Sequence, residues 1–149
     1  MQEIIQDLTK IETGVVAHGC NCSGGFGSGI AKAIKEAWPE VAERFYEVGA
    51  SEDLLGKVDF VRVQKNLIIA NCYTQLNYGK AKKKYASISA IEKCINTLSK
   101  RLNNTKYNLY ISKLGCGLGG LDWESEVKPV YEKVFNKYNI NVFVCDIGK

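Results

Sequence analysis

Val15-Val16-Ala17-His18-Gly19-Cys20-Asn21-Cys22-Ser23-Gly24-Gly25-Phe26-Gly27-Ser28-Gly29-Ile30-Ala31 changes character twice within a few residues. Val15 to His18 is a short apolar run of the kind buried on both faces of a parallel sheet. It enters five glycines in the eleven residues from Gly19 to Gly29. From Ile30 the apolar positions Ile30, Ile34 and Trp38 return at helical spacing. A strand, a glycine loop and a helix in succession are the local pattern of an α/β sheet. Such sheets take ligands beyond the carboxyl ends of their strands.

The pattern extends outward in both directions. Residues 2–7 read as a short strand, and Pro39 suits the first turn of a second helix with Val41, Phe45 and Val48 on one face. Val58, Phe60 and Val63 begin a strand, and Asn66 turns it into Leu67-Ile68-Ile69-Ala70. Residues 85–102 carry Ile88, Ile91, Ile95, Leu98 and Leu102 as an amphipathic helix. Asn108 to Ile111 is a strand, 123–137 is helical with a bend at Pro129, and Val142 to Val144 closes the chain as a strand. This alternation predicts one sheet with helices on both faces, in a single domain over 1–149.

Composition agrees: 46% hydrophobic, 24% charged and 10% aromatic residues describe an ordinary globular chain, not a disordered or coiled-coil one. No apolar run reaches the ~18 residues of a membrane span. The opening Met1-Gln2-Glu3-Ile4-Ile5-Gln6-Asp7 lacks a basic region and a long apolar region, so a cytoplasmic location is expected. Of the twenty basic residues only Arg44, Arg62 and Arg101 are arginine, and the net charge is +4. Nucleic-acid readers lean on arginine forks, so direct nucleic-acid binding is not expected. The densest basic stretch, Lys80-Ala81-Lys82-Lys83-Lys84, is either a solvated loop or an attractive field for a polyanionic ligand. The six cysteines read as reduced thiols, and Cys20-x-Cys22 with one histidine is a poor metal site, so no metal and no cofactor are expected.

A second glycine loop, Gly115-Cys116-Gly117-Leu118-Gly119-Gly120, also follows a strand and precedes a helix; the two loops hold nine of the fourteen glycines. Close backbone approach lets N–H groups converge on an anion, and a helix N-terminus adds partial positive charge. Two such loops at one sheet edge suit a diphosphate held from both sides. Known phosphate motifs do not fit. There is no G-x-x-x-x-G-K-[ST], and Gly115-x-Gly117-x-x-Gly120 lacks the later acidic residue of a dinucleotide fold. Neither loop has the arginine of a cysteine phosphatase, so Cys22 and Cys116 read as packing residues.

The run Ala17 to Ala31 resembles the first ligand loop of macro domains, the ADP-ribose-binding α/β modules, and its His-x-Cys-Asn-Cys form is most similar to their small ADP-ribose-1''-phosphate phosphatases. Leu54-Leu55-Gly56-Lys57, and the second loop running into Trp123-Glu124, resemble that subfamily too. The resemblance implies a three-layer α/β/α sandwich about a central mixed, mostly parallel six-stranded sheet. It implies that Asp7 accepts from the adenine amino group beside Leu8, and that Asn21 binds the distal ribose. Cys20, Gly25, Phe26, Gly27, Ser28, Gly29, Ile30 and Ala31 would wrap the diphosphate and ribose. Lys113, Leu114, Gly115, Cys116, Gly117, Leu118 and Gly119 would close from the other side, with Cys145 and Asp146 near the adenine. Related deglutamylating ADP-ribosyl hydrolases use a lysine after the fourth strand and an aspartate in the second loop. Here those regions read Tyr73-Thr74-Gln75-Leu76 and Gly119.

Individual residues keep two readings each. His18 is a hydrogen-bonded core residue or a general acid or base. Asp122 is a helix N-cap, a carboxylate that aligns water, or both. Asn21 is a turn residue or a ribose-fixing group on which catalysis depends. Trp38 and Trp123 read as core aromatics, Tyr78 and Tyr85 as lids, and Phe26, flanked by glycines, as a ligand contact. The functions in play are removal of the terminal phosphate from ADP-ribose 1''-phosphate, removal of ADP-ribose from modified macromolecules, and ADP-ribose binding without chemistry. A monomer is expected, with no membrane partner.

Overall fold

The computed structural model describes residues 1–79 and 83–147, so Lys80, Ala81 and Lys82 of the basic stretch lie outside the described residues. Of its remaining lysines, Lys84 pairs with Glu126 at 2.7 Å and Lys83 lies over the Tyr85 ring. The chain forms β1 (Gln2–Ile5), β2 (Gly14–Asn21), α1 (Gly29–Ala37), α2 (Pro39–Val48), β3 (Val58–Gln64), β4 (Leu67–Gln75), α3 (Ile88–Leu102), β5 (Leu109–Ile111), α4 (Lys128–Phe135) and β6 (Val142–Asp146). The six strands make one sheet in the order β1-β6-β5-β2-β4-β3. Every pairing is parallel except the β3–β4 hairpin, so the sheet is mixed and mostly parallel, as expected.

Side chains alternate across the sheet, and each face feeds its own core. Val15 and Ala17 of β2 point to a core shared with Ile91, Ile95 and Leu98 of α3 and Tyr131 and Val134 of α4. Val16 points to the other, with Ile34 of α1 and Val41 and Phe45 of α2. The result is three layers, α1 and α2 on one face and α3 and α4 on the other. No helix of the described residues is long and apolar enough to cross a membrane.

Several boundaries differ from the sequence reading, β1 ending at Ile5 and β2 running on to Asn21 among them, and three of the differences have a clear hydrogen-bonding reason. β4 runs on past Ala70 to Gln75, because β2 and β3 pair with it from either side. α3 begins at Ile88 and not at 85, because the Tyr85 and Ala86 N–H groups donate to the Gly119 carbonyl and Ser87 caps the helix by accepting from Ala90 N at 3.1 Å. The expected helix over 123–137 starts with a wide π-helical turn, Trp123–Val127, before α4. Pro129 has no N–H to give and stands in the first turn of α4, where none is needed.

That last helical unit is capped reciprocally. Asp122 accepts from Ser125 N at 2.9 Å and Ser125 Oγ at 2.6 Å, while Glu126 Oε1 accepts from Asp122 N at 3.0 Å. These bonds hold the Asp122 carboxyl below the usual carboxylate range. Asp122→Ala is therefore expected to lower the melting temperature by a few degrees at neutral pH and to leave ligand affinity unchanged. The stabilisation fades as acid protonates the carboxyl, so the wild type and the variant should converge at low pH. Calorimetry of both proteins across pH checks it; loss of ligand binding without loss of stability would return Asp122 to the site.

Candidate functional site

Both glycine loops leave the sheet at strand carboxyl ends and line the two sides of one cleft of about 630 Å³. The first loop starts at a fault in the β2–β4 ladder. Cys20 stands opposite Tyr73, but Asn21 stands opposite Gln75, so β4 carries Thr74 as an extra residue. Past this point the Asn21 side chain organises the turn. Its Nδ2 donates to Gly25 O at 2.8 Å, and its Oδ1 accepts from Gly25 N at 3.0 Å and from Ser23 N and Oγ at 3.1 Å. Gly25 lies under Tyr78: a Cβ there would stand 2.6 Å from the exposed Tyr78 ring, which would have to move aside. Tyr78 thus rides on the loop and joins the lining of the cleft. Gly29 starts α1 at φ +59, with open space where a side chain would be. Ser28, its N-cap, makes no side-chain cap bond, so the first-turn N–H groups beside the cleft are left for a ligand.

The second loop is set by Tyr131. Its buried hydroxyl donates to Ser112 O at 2.7 Å and accepts from Leu114 N at 2.9 Å. Further along, Leu121 N donates to Gly115 O, and Gly119 O receives the two N–H groups that delay α3.

Of the residues singled out from sequence, Cys20, Asn21, Gly25, Gly27, Ser28, Gly29, Ile30, Lys113, Leu114, Gly115, Gly117, Leu118 and Gly119 line the cleft. Asp7 stands two residues past the carboxyl end of β1, which stops at Ile5 and not at 7, and Asp146 is the last residue of β6; both lie outside the lining set. Asp7 accepts from Thr9 N at 2.9 Å and Thr9 Oγ1 at 2.7 Å, bonds that hold its carboxyl below the usual range. Lys113 ties this end to the cleft: its ammonium lies 3.6 Å from Asp146 and 5.3 Å from the Trp123 ring centre. Leu8 and Cys145 are buried, and burial pushes the Cys145 thiol up to about 11. Ala31 and Cys116 are partly buried beside the cleft without lining it.

Two readings change. Phe26 does not face a ligand; it is buried, 4.8 Å from the Phe45 ring and 5.5 Å from His18, and pins the loop to the core from below. His18 lies in the core, where its Nε2 donates to Asn71 Oδ1 at 2.6 Å. Burial lowers its pKa to about 4, so the ring is neutral and out of the cleft's reach. A ring so placed neither gives nor takes a substrate proton. Five lining residues escaped the sequence reading of the site: Gly19, Thr74, Gln75, Gly79 and Ser112. Three of them belong to the extension of β4 and the loop after it, which nothing in the local sequence marks. Among the described residues, no group of three or more His, Cys, Asp or Glu is arranged to hold a metal ion.

Because Asn21 wires the loop, Asn21→Ala is expected to lower stability by about 1–2 kcal/mol as well as ligand affinity. Amide exchange at Ser23 and Gly25 should quicken. Full stability and unchanged exchange would contradict it. His18 predicts a pH dependence. Its folded pKa of about 4 lies below the ordinary 6.5, so the unfolded chain takes up the proton first. Stability is complete above about pH 6.5 and falls as pH drops towards 4, by on the order of 3 kcal/mol. Urea unfolding of the wild type and of His18→Gln between pH 7 and 4.5 measures this; parallel curves for the two would refute it.

No family model matches the chain. The ADP-ribose 1''-phosphate phosphatase of Debaryomyces hansenii is 26% identical over 163 aligned positions, covering 89% of this chain and 88% of that protein. A macrodomain protein from Streptomyces coelicolor is 26% identical and superposes with a TM-score of 0.79 over 99% of both chains. The macrodomain of Mycobacterium tuberculosis DarG is also 26% identical, with a TM-score of 0.79 over 97% of this chain and 95% of that one. With its sheet and layers carried almost end to end in those two structures, the chain has the macro domain fold and is similar to macrodomains over its whole described length.

Proposed function

We propose that the cleft binds ADP-ribose and that the protein hydrolyses the terminal phosphate ester of ADP-ribose 1''-phosphate. The observation that carries this is the facing of two glycine-rich backbones, Gly25 to Ile30 and Lys113 to Gly119, across one cleft at the strand ends. Uncapped N–H groups at the start of α1 favour the diphosphate. The Asp7 carboxylate, ionised and fixed by Thr9, suits an adenine amino group at the far end. Asn21, by holding the first loop, sets where the distal ribose and its phosphate sit. The kinship with the Debaryomyces hansenii phosphatase supports the substrate.

The lining residues include no carboxylate and no imidazole. Hydrolysis therefore draws on position and on backbone N–H groups aimed at the charge that develops on the phosphoryl oxygens. The region Tyr73-Thr74-Gln75-Leu76 holds no lysine, and Gly119 stands where the deglutamylating enzymes named above carry aspartate, which argues against a covalent lysine route. The same lack of an acid or base favours one second reading, a module that holds ADP-ribose without chemistry.

Calorimetry should show ADP-ribose binding far more tightly than AMP, because AMP leaves the distal half of the cleft empty. Incubation with ADP-ribose 1''-phosphate should release inorganic phosphate, in EDTA as well as without it. Equal affinity for AMP and ADP-ribose would remove the ligand assignment. Tight ADP-ribose binding with no phosphate release would leave the binding module as the function.

A further inference from the structure

Where β2 begins, at the end of the sheet away from the cleft, a second cavity of about 200 Å³ opens between the β3–β4 turn, the end of α3 and the loop before β5. Val15, Ile68 and Leu102 give it an apolar lining, and Arg62, Arg101 and Tyr107 a polar one. Two of the chain's three arginines thus share one small cavity.

Both guanidinium groups are held in place without being neutralised. Arg62 donates to the Lys65 carbonyl. Arg101 lies 4.3 Å from the centre of the Phe60 ring. Among the described residues neither pairs with a carboxylate. Each fork carries five N–H donors, so most remain free. The walls are tied to one another by backbone bonds, Gly14 N to Asn66 O at 2.8 Å and Val15 N to Asn108 O at 3.0 Å, so the cavity exists before any ligand arrives. The end of α3 would repel an anion through its free carbonyls, but the Leu102 carbonyl is taken by Thr105 N at 3.0 Å and Thr105 Oγ1 at 2.8 Å.

We propose that this cavity binds a small organic carboxylate, its charged group on Arg62 and Arg101 and its hydrocarbon body against Val15, Ile68 and Leu102. At about 200 Å³ against about 630 Å³ for the cleft, the cavity suits a small ligand rather than one that fills the cleft. The planar forks match a carboxylate bidentately, and the apolar lining selects a ligand with a body over a bare inorganic anion. The site is independent of the cleft and of the function proposed for it.

Benzoate is a suitable probe. Titrated into the isotope-labelled full chain, it should shift the amides of Gly14, Thr105 and Tyr107 saturably and leave those of Gly27 and Gly117 in place. Benzyl alcohol, which lacks the charge, and inorganic phosphate, which lacks the body, should each bind at least about tenfold more weakly. The variant Arg62→Gln/Arg101→Gln should lose benzoate binding while keeping its melting temperature and its ADP-ribose affinity, since both side chains are exposed. The proposal is overturned if benzoate gives no saturable shift at these amides, if benzyl alcohol or phosphate binds as well, or if the double variant binds undiminished. Should that variant fail to fold, the two control ligands on the wild type still decide the matter.

Discussion

The parallel pairing of β2 with β4 is the constraint on which the rest depends. β2 is covered on both faces, so its backbone groups have no access to water and must be paired within the sheet. β4 supplies partners from Leu67 opposite Gly14 to Tyr73 opposite Cys20, then slips by one residue at Thr74. That slip ends the regular ladder and turns the chain into the first loop. Cys22 N still reaches Gln75 O at 2.8 Å, so the loop leaves the sheet while tethered to it. Thr74 and Gln75, brought forward by the same slip, join the lining of the cleft.

The cleft is held open by side chains that the ligand need not touch. Asn21 closes the first loop on itself with four hydrogen bonds. Phe26 seats that loop on Phe45, and Tyr131 clamps the start of the second from inside the core. Tyr78 lies where a side chain on Gly25 would be. A backbone organised in this way presents N–H groups without the entropy cost of ordering long polar side chains on binding.

Charge plays a secondary part. Among the described residues Lys113 is the cation that lines the cleft, and it is shared with Asp146 and, at 3.9 Å, with Glu3. Lys84 and Lys128 are paired with Glu126 and Glu3, at exposed or half-exposed positions where an ion pair contributes little. The net +4 is thus spread over lysines. The arginines are placed differently, one paired with Asp59 and two gathered at the second cavity.

The layered α/β architecture, the order of strands and helices and the two glycine-rich loops at strand ends were legible in the amino-acid sequence. Hydrophobic periodicity and the clustering of glycine are local properties, visible without knowing what packs on what. The start of α3 and the length of β4 were not legible, because each is set by a hydrogen-bond partner distant in the chain: Gly119 for Tyr85 and Ala86, β2 for Thr74 and Gln75. The π-helical turn before Pro129 is closed locally, by the Asp122 and Trp123 carbonyls, and hydrophobic spacing does not distinguish it from an α-helical turn. The same holds for side-chain roles. His18 and Phe26 sit in or beside the glycine loop in sequence, and only the tertiary structure turned them into the core. Strand alternation points His18 into the core of the α1–α2 face, where Phe26, itself packed on Phe45, offers a ring and Asn71 a hydrogen bond. Sequence determined which residues stand at the strand ends; burial and long-range pairing decided which of them face the cleft, because a side chain's direction depends on what fills the space on either side of it.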